Sequence, residues 1–221
     1  MSAETGKFQL RNGAGSVAFQ SSLERGFVQL CDFANEVRHI AWEPFTIEFH
    51  DLVDGKVRNY TPDYLVDVET RNADRHRYIV EVKQKREADR IWAGGPTTVQ
   101  ARAHVAMMAW CRDQQDCSFL LVTEHELAKK GLGNIRAIVD RASYEPDKAL
   151  SEHLLSSVGR YGSIELGPAT EMCGEAGFAR PEVLSTTLRL CAEDRIWFDV
   201  AGPWNDRTLL YLGPRRRVFI R

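Results

Sequence analysis

The sequence predicts an α/β protein, a mixed sheet flanked by helices, followed by a smaller domain of helices and short strands. Three observations predict it. Two short apolar runs, Tyr64-Leu65-Val66 and Tyr78-Ile79-Val80, are separated by the turn-rich stretch Thr70 to His76, the pattern of two paired strands. Helical periodicity precedes this pair in Ser21 to Asn35 and follows it in Thr98 to Arg112, ahead of the apolar run SFLLVT, Ser118 to Thr123. From Ala149 onward the order becomes helix, strand, helix, helix, strand, turn, strand.

Residues 1–20 carry Lys7, Arg11 and three glycines, and read as a polar arm with partial disorder. Ser21 to Asn35 places Leu23, Phe27, Leu30 and Ala34 on one helical face. Ile40 and Trp42, then Phe45, Ile47 and Phe49, alternate with period two, interrupted at Glu43-Pro44. Asp54-Gly55 is a hairpin turn signal leading into one strand over Lys56 to Val68. Trp92 to Pro96 is a loop, and the helix Thr98 to Arg112 presents Val99, Ala103, Ala106, Met107 and Trp110 on its apolar side. Gly133-Asn134 reads as a turn and N-cap before a helix over Ile135 to Ala142. The turn around Pro146 marks the boundary, giving a first domain over residues 21–145 and a second over 146–221.

In the second domain, helices fall at Ala149 to Val158, Leu166 to Ala176 and Pro181 to Cys191. Strands fall at Gly162 to Glu165, Arg195 to Val200 and Thr208 to Leu212. This is the winged-helix order. The third helix carries Glu182 and Arg189, with Glu193 beyond, and little basic charge. It therefore suits a protein partner at least as well as DNA. The tail Arg215 to Arg221 is basic and apolar together, fit for phosphates or for docking as a strand.

Composition sets bounds on function. With 221 residues, 43% hydrophobic and 27% charged, the chain has the make-up of a soluble globular protein, enough for one large or two small domains. No apolar run approaches the roughly 20 residues of a membrane span, and the N-terminal residues lack the apolar core of a signal peptide, so a cytoplasmic location is expected. The five cysteines, Cys31, Cys111, Cys117, Cys173 and Cys191, form no C-x-x-C pair and are expected to be reduced and mostly buried. His104, Cys111 and Cys117 fit no ordinary zinc spacing. A net charge of −2 argues against unaided, tight DNA binding, so positive charge must be local or borrowed from a partner.

The chemistry concentrates between Tyr60 and Arg86. Asp63 opens the first apolar run; Glu81 and Lys83 close the second and, two apart on a strand, project to the same side. Folding the runs together gathers Asp63, Glu81 and Lys83. Two carboxylates suit Mg²⁺, a hard ion that keeps waters and a substrate phosphate as its other ligands, with Mn²⁺ as a substitute. Such a site lowers the pKa of a bound water, and the lysine would orient or deprotonate that water or stabilise the charged transition state. The pattern P-D, spacer, E-x-K thus points to phosphodiester hydrolysis. Lys85, Arg86 and Arg90 continue the positive charge and are candidate DNA contacts; each also suits a solvated helix start. Glu24 has two readings, a further metal ligand or the acid of a Ser21-x-x-Glu24 capping box. The acidic and histidine run Glu124-His125-Glu126 is a further metal candidate.

The P-D…E-x-K pattern resembles the PD-(D/E)xK, restriction-endonuclease-like superfamily. The stretches LERGFVQLCDFANEV, WEPFTIEF, YTPDYLVD, YIVEVK, FLLVTEHEL, GNIRAIVDRA and LRLCAEDRIWFDVAGPWNDRTLLYL, in that order over residues 21–212, resemble TnsA-like endonuclease subunits of heteromeric transposases. The resemblance implies a restriction-enzyme-like nuclease domain followed by a small winged helix. It implies Glu24, Asp63, Glu81 and Lys83 as catalytic residues, with metal held by Glu24, Asp63, Glu81 and the Val82 backbone carbonyl. The implied reaction is Mg²⁺-dependent hydrolysis at the 5′ ends of a mobile element. The implied partners are double-stranded DNA at those ends, an integrase-type (TnsB-like) transposase subunit and an ATP-dependent (TnsC-like) regulator. A stand-alone restriction or phage-defence nuclease and a non-catalytic winged-helix adaptor are the alternatives.

Overall fold

The structure is a computed structural model describing residues 4–11, 15–70, 72–214 and 219. The described chain divides into two compact units, one up to Leu127 and one from Ala128 to Phe219.

The first unit is built on a four-stranded mixed sheet. Its strands are β3 (Val37–Trp42), β6 (Tyr64–Glu69), β7 (Arg75–Val82) and β8 (Cys117–Val122), in the order β3-β6-β7-β8. The first three run antiparallel and β8 runs parallel to β7. Tyr64 pairs with Val80 and Leu65 with Ile79, so the two apolar runs lie side by side in the register that the site requires. Alternation then sorts the residues onto two faces. Tyr64, Val66 and Val68 are fully buried on one face, where Tyr64 meets Phe27 of α1 (Ser22–Phe33) with ring centroids 5.3 Å apart. On the other face Ile79 packs with Ile47, Met107 and Cys111, and Leu65, Trp110 and Phe119 close around them. Met107, Trp110 and Cys111 belong to α3 (Val99–Arg112), capped by the Thr98 hydroxyl on the Ala101 N–H.

Several expectations are corrected. Within the described part of the polar arm, β1 (Gly6–Gln9) and β2 (Ser16–Phe19) pair antiparallel, with Val17 and Phe19 buried. The single strand over Lys56 to Val68 is two. Among the described residues β5 (Val57–Tyr60) pairs only with β4 (Ile47–His50), in a two-stranded sheet, and β6 begins after Pro62, which has no N–H for a ladder. The hairpin is tied to α3 by Asp51, whose carboxylate accepts from Arg102 of α3 and from Arg58 of β5. The buried face of α3 is Ala101, Ala103, His104, Met107 and Cys111, whereas Val99 is exposed. After β7 the chain forms α2 (Lys85–Trp92).

The second unit begins within α4 (Glu124–Lys129) and contains α5 (Leu132–Asp140), α6 (Lys148–Tyr161), α7 (Leu166–Glu175) and α8 (Arg180–Ala192). Its strands β9 (Ser163–Glu165), β10 (Ile196–Trp197) and β11 (Leu209–Leu212) form an antiparallel sheet ordered β10-β11-β9. The division lies ahead of the turn at Pro146 because α5 packs on α8. Gly131, rather than Gly133-Asn134, precedes α5. Its φ of +80° suits glycine, and a Cβ there would lie 2.0 Å from the Val200 carbonyl oxygen. Asn134 sits inside the helix and donates to the Val200 and Gly202 carbonyls. Leu150, Leu154 and Val158 of α6, Val183 and Leu190 of α8, and Leu210 of β11 are fully buried or nearly so. Of the tail, only Phe219 lies within the described residues; Arg215, Arg216, Arg217 and Arg221 lie outside them. No helix among the described residues is long and apolar enough to cross a membrane.

Candidate active site

The candidate residues meet where β6 begins and β7 ends. Asp63 sits in the break that Pro62 imposes between β5 and β6, and its Oδ2 accepts the Val82 N–H at 2.7 Å. That bond ties the start of one strand to the end of its neighbour. Lys83, just past β7, places Nζ 2.9 Å from Glu81 Oε1 and 3.7 Å from Asp63 Oδ2. The ammonium therefore bridges the two carboxylates. Glu81 is almost fully buried, on the Ile79 side of the sheet, and its Oε2 accepts the Tyr60 hydroxyl at 2.6 Å.

Glu24 approaches on the Tyr64 side. Its Oε2 accepts from the Gln20 N–H at 2.9 Å and the Tyr64 hydroxyl at 3.2 Å, and its own N–H donates to Ser21 Oγ at 3.1 Å. The capping contacts are thus real. The Tyr64 hydroxyl adds a contact to Glu24 from the first residue of β6, next to Asp63 in sequence.

The site is electrostatically loaded. Burial, then the Glu81 charge, pushes Asp63 up to about 6, against the pull of Lys83 and the Val82 N–H, with Glu24 adding to the push. Burial acts to raise Glu81 as well, but His104, Lys83 and Tyr60 outweigh it and hold its carboxyl below the ordinary value. Burial opposes the charge on Lys83, yet Glu81 and Asp63 raise its pKa, so it stands as an ammonium. Burial and the Glu81 charge push the Tyr60 hydroxyl far up, which keeps it a donor. This favours an electrostatic role for Lys83 over proton abstraction.

The other candidates are placed differently. Lys85, Arg86 and Arg90 lie exposed on α2; the Lys85 ammonium pairs with Asp89, and its N–H donates to Glu124. Glu126 accepts from the Thr123 N–H and hydroxyl, so Glu124 and Glu126 serve as caps. None of the five cysteines is bridged in a disulfide; four are buried and Cys117 is half-buried. Among the described residues, no group of three or more His, Cys, Asp or Glu side chains has a metal-holding arrangement. The strand end offers instead two carboxylates bridged by a cation, a hard-oxygen donor set of the kind a divalent ion shares with water and phosphate. Asp63 and Glu81 fit such an ion in kind.

Tyr60 and His104 were not legible as site residues. Tyr60 opened the motif but carried no pattern of its own. His104 lies 23 positions beyond Glu81, and only packing of α3 on the sheet brings the two together.

A mixed sheet flanked by helices, with an aspartate, a glutamate and a lysine converging at paired strand ends, fits a restriction-endonuclease-like core. Residues 34–124 match the family model described as TnsA-like endonuclease N terminal. This segment, which contains Asp63, Glu81 and Lys83 but not Glu24, is TnsA-like. It is less than half of the chain. No curated protein matches the sequence.

Proposed function

We propose that this chain is the Mg²⁺-dependent endonuclease subunit of a heteromeric transposase, hydrolysing a phosphodiester at the 5′ ends of a mobile element. The observation that carries the proposal is the Asp63–Glu81–Lys83 cluster inside the TnsA-like segment. Asp63 and Glu81 would hold the ion, with Glu24 and the Val82 carbonyl as further ligands; Mn²⁺ would substitute. When bound, the ion supplies charge neutralisation at the phosphate and a more acidic water. Lys83 gives up its bridge between the carboxylates and faces the reacting phosphate, where its ammonium stabilises the negative charge that builds as water adds and the leaving oxygen departs. Lys85, Arg86 and Arg90, exposed on the helix that follows, are proposed contacts to the DNA backbone.

The part of the second unit from α6 onward is proposed to be winged-helix-like, in line with its order of helix, strand, two helices and two strands. The cations of α8 are already matched: Arg180 pairs with Asp206 at 2.5 Å and Arg189 with Glu193 at 2.9 Å. That supports a protein-facing role, toward a TnsB-like transposase subunit or a TnsC-like regulator. The proposed setting is the cytoplasm, on double-stranded DNA at element ends.

Plasmid nicking in Mg²⁺ by the chain alone, and cleavage of element ends beside the cognate integrase-type subunit, test the proposal. Cutting that appears only with the partner is the expected result. Cutting by the chain alone would make it a stand-alone nuclease, and no 5′ cutting in either setting would make it an adaptor.

A further inference from the structure

His104 lies on α3 with no exposed surface, and neither of its ring nitrogens meets a hydrogen-bond partner among the described residues. A buried polar group in that state normally destabilises the fold, so its position calls for a reason. It is enclosed by rings: Phe119 at 5.3 Å, Tyr60 at 5.8 Å and Trp92 at 6.1 Å between centroids. One direction is polar. Nε2 faces Glu81 Oε1 across 3.9 Å, and Oε1 is the oxygen that Lys83 holds at 2.9 Å. The other oxygen, Oε2, is held by Tyr60. Glu81 therefore has one mobile partner, the long Lys83 side chain, and two rigid ones, Tyr60 and His104, fixed by ring packing.

We infer that Tyr60 and His104 form a fixed anchor that keeps the Glu81 carboxylate oriented when Lys83 turns from it toward substrate. While Lys83 sits on Oε1, the imidazole stands just outside hydrogen-bond distance. Once Lys83 leaves, a shift of less than 1 Å lets Nε2 donate to the same oxygen. Without the anchor a buried carboxylate that has lost its cation would be free to rotate, and the site would lose its geometry at the moment of use. Tyr60 and His104 are thus positioning residues, acting through Glu81. The inference rests on the nuclease reading above, since it assigns Lys83 a task away from Glu81.

Partners of this kind behind a ligand are worth about 10–100-fold in metal affinity or activity. The test uses the full chain with Tyr60→Phe, His104→Leu and His104→Gln. Mn²⁺ affinity is measured by calorimetry, and kcat and KM for element-end DNA are measured beside the cognate transposase subunit. Tyr60→Phe and His104→Leu should each weaken Mn²⁺ binding and lower kcat about 10–100-fold with KM for DNA unchanged. His104→Gln, which keeps a donor, should recover most of both. Tyr60→Phe removes one oxygen atom and keeps the ring, so it carries the test even where His104→Leu fails to fold. Wild-type Mn²⁺ affinity and kcat in Tyr60→Phe, or equal losses in His104→Gln and His104→Leu, would overturn the anchor and leave the nuclease reading intact. A wild-type chain that takes up no Mn²⁺ would overturn both.

Discussion

Asp63→Asn should stabilise the folded protein at alkaline pH while it abolishes cleavage. Burial and the Glu81 charge raise Asp63 from the ordinary 3.8 to about 6. Between those values the folded chain still holds a proton that the unfolded chain has released. Stability therefore falls as pH rises from about 4 to about 6 and stays low above that range. Two units at about 1.4 kcal/mol each come to about 3 kcal/mol at pH 8, against about 1 kcal/mol at pH 4.5. Asparagine carries no charge at either pH, its Oδ1 can still accept the Val82 N–H, and Lys83 keeps Glu81. Relative to wild type, Asp63→Asn should thus gain about 2 kcal/mol more at pH 8 than at pH 4.5. Urea unfolding followed by tryptophan fluorescence, at both pH values and without divalent cations, measures the difference. A stability difference that does not change with pH, or one that turns against the variant at pH 8, would refute the reasoning.

Other consequences follow from the same contacts. Ser21→Ala removes the α1 cap and should cost about 1 kcal/mol while leaving cleavage intact, whereas Glu24→Gln should impair cleavage with little change in melting; equal effects of both on cleavage would reduce Glu24 to a cap. Hydrogen bonding to Arg102 above all, then the Val53 N–H and Arg58, holds Asp51 down at about 2, so its contribution is present above the ordinary carboxylate range and lost as pH falls toward 2. Asp51→Asn should lower stability at neutral pH and blunt the further loss on acidification, as read by near-ultraviolet circular dichroism. Leu154→Ala, at a fully buried position of α6, should destabilise the second unit by about 2–5 kcal/mol in chemical denaturation.

The gathering of Asp63, Glu81 and Lys83 was legible because its geometry is short-range. Asp63 follows Pro62, and Glu81 and Lys83 stand two apart at a strand end, so strand pairing alone had to bring them together. The Tyr64–Val80 register does so. The order of elements in the second unit was legible for a similar reason, since each helix has its own periodicity. What sequence concealed depends on distant partners. The β1–β2 pair is polar and glycine-rich, and is held by contacts such as the Tyr64 hydroxyl on the Ala18 carbonyl at 2.9 Å, 46 positions away. On α3 the apolar pattern picks out Ala103, Ala106, Met107 and Trp110, which do pack on the core, but it includes exposed Val99 and passes over buried His104, which only the sheet selects. The end of the first unit was hidden because only α5–α8 packing decides to which unit α5 belongs.

The most direct test of the central claim is strand-resolved cleavage of element-end DNA in Mg²⁺, with the cognate integrase-type subunit present, comparing the wild-type chain with Lys83→Ala. The account predicts 5′-end products with the wild type and none with Lys83→Ala, while the partner's 3′-end cutting persists and the variant, checked by circular dichroism, remains folded. Undiminished 5′-end cutting by Lys83→Ala would contradict it.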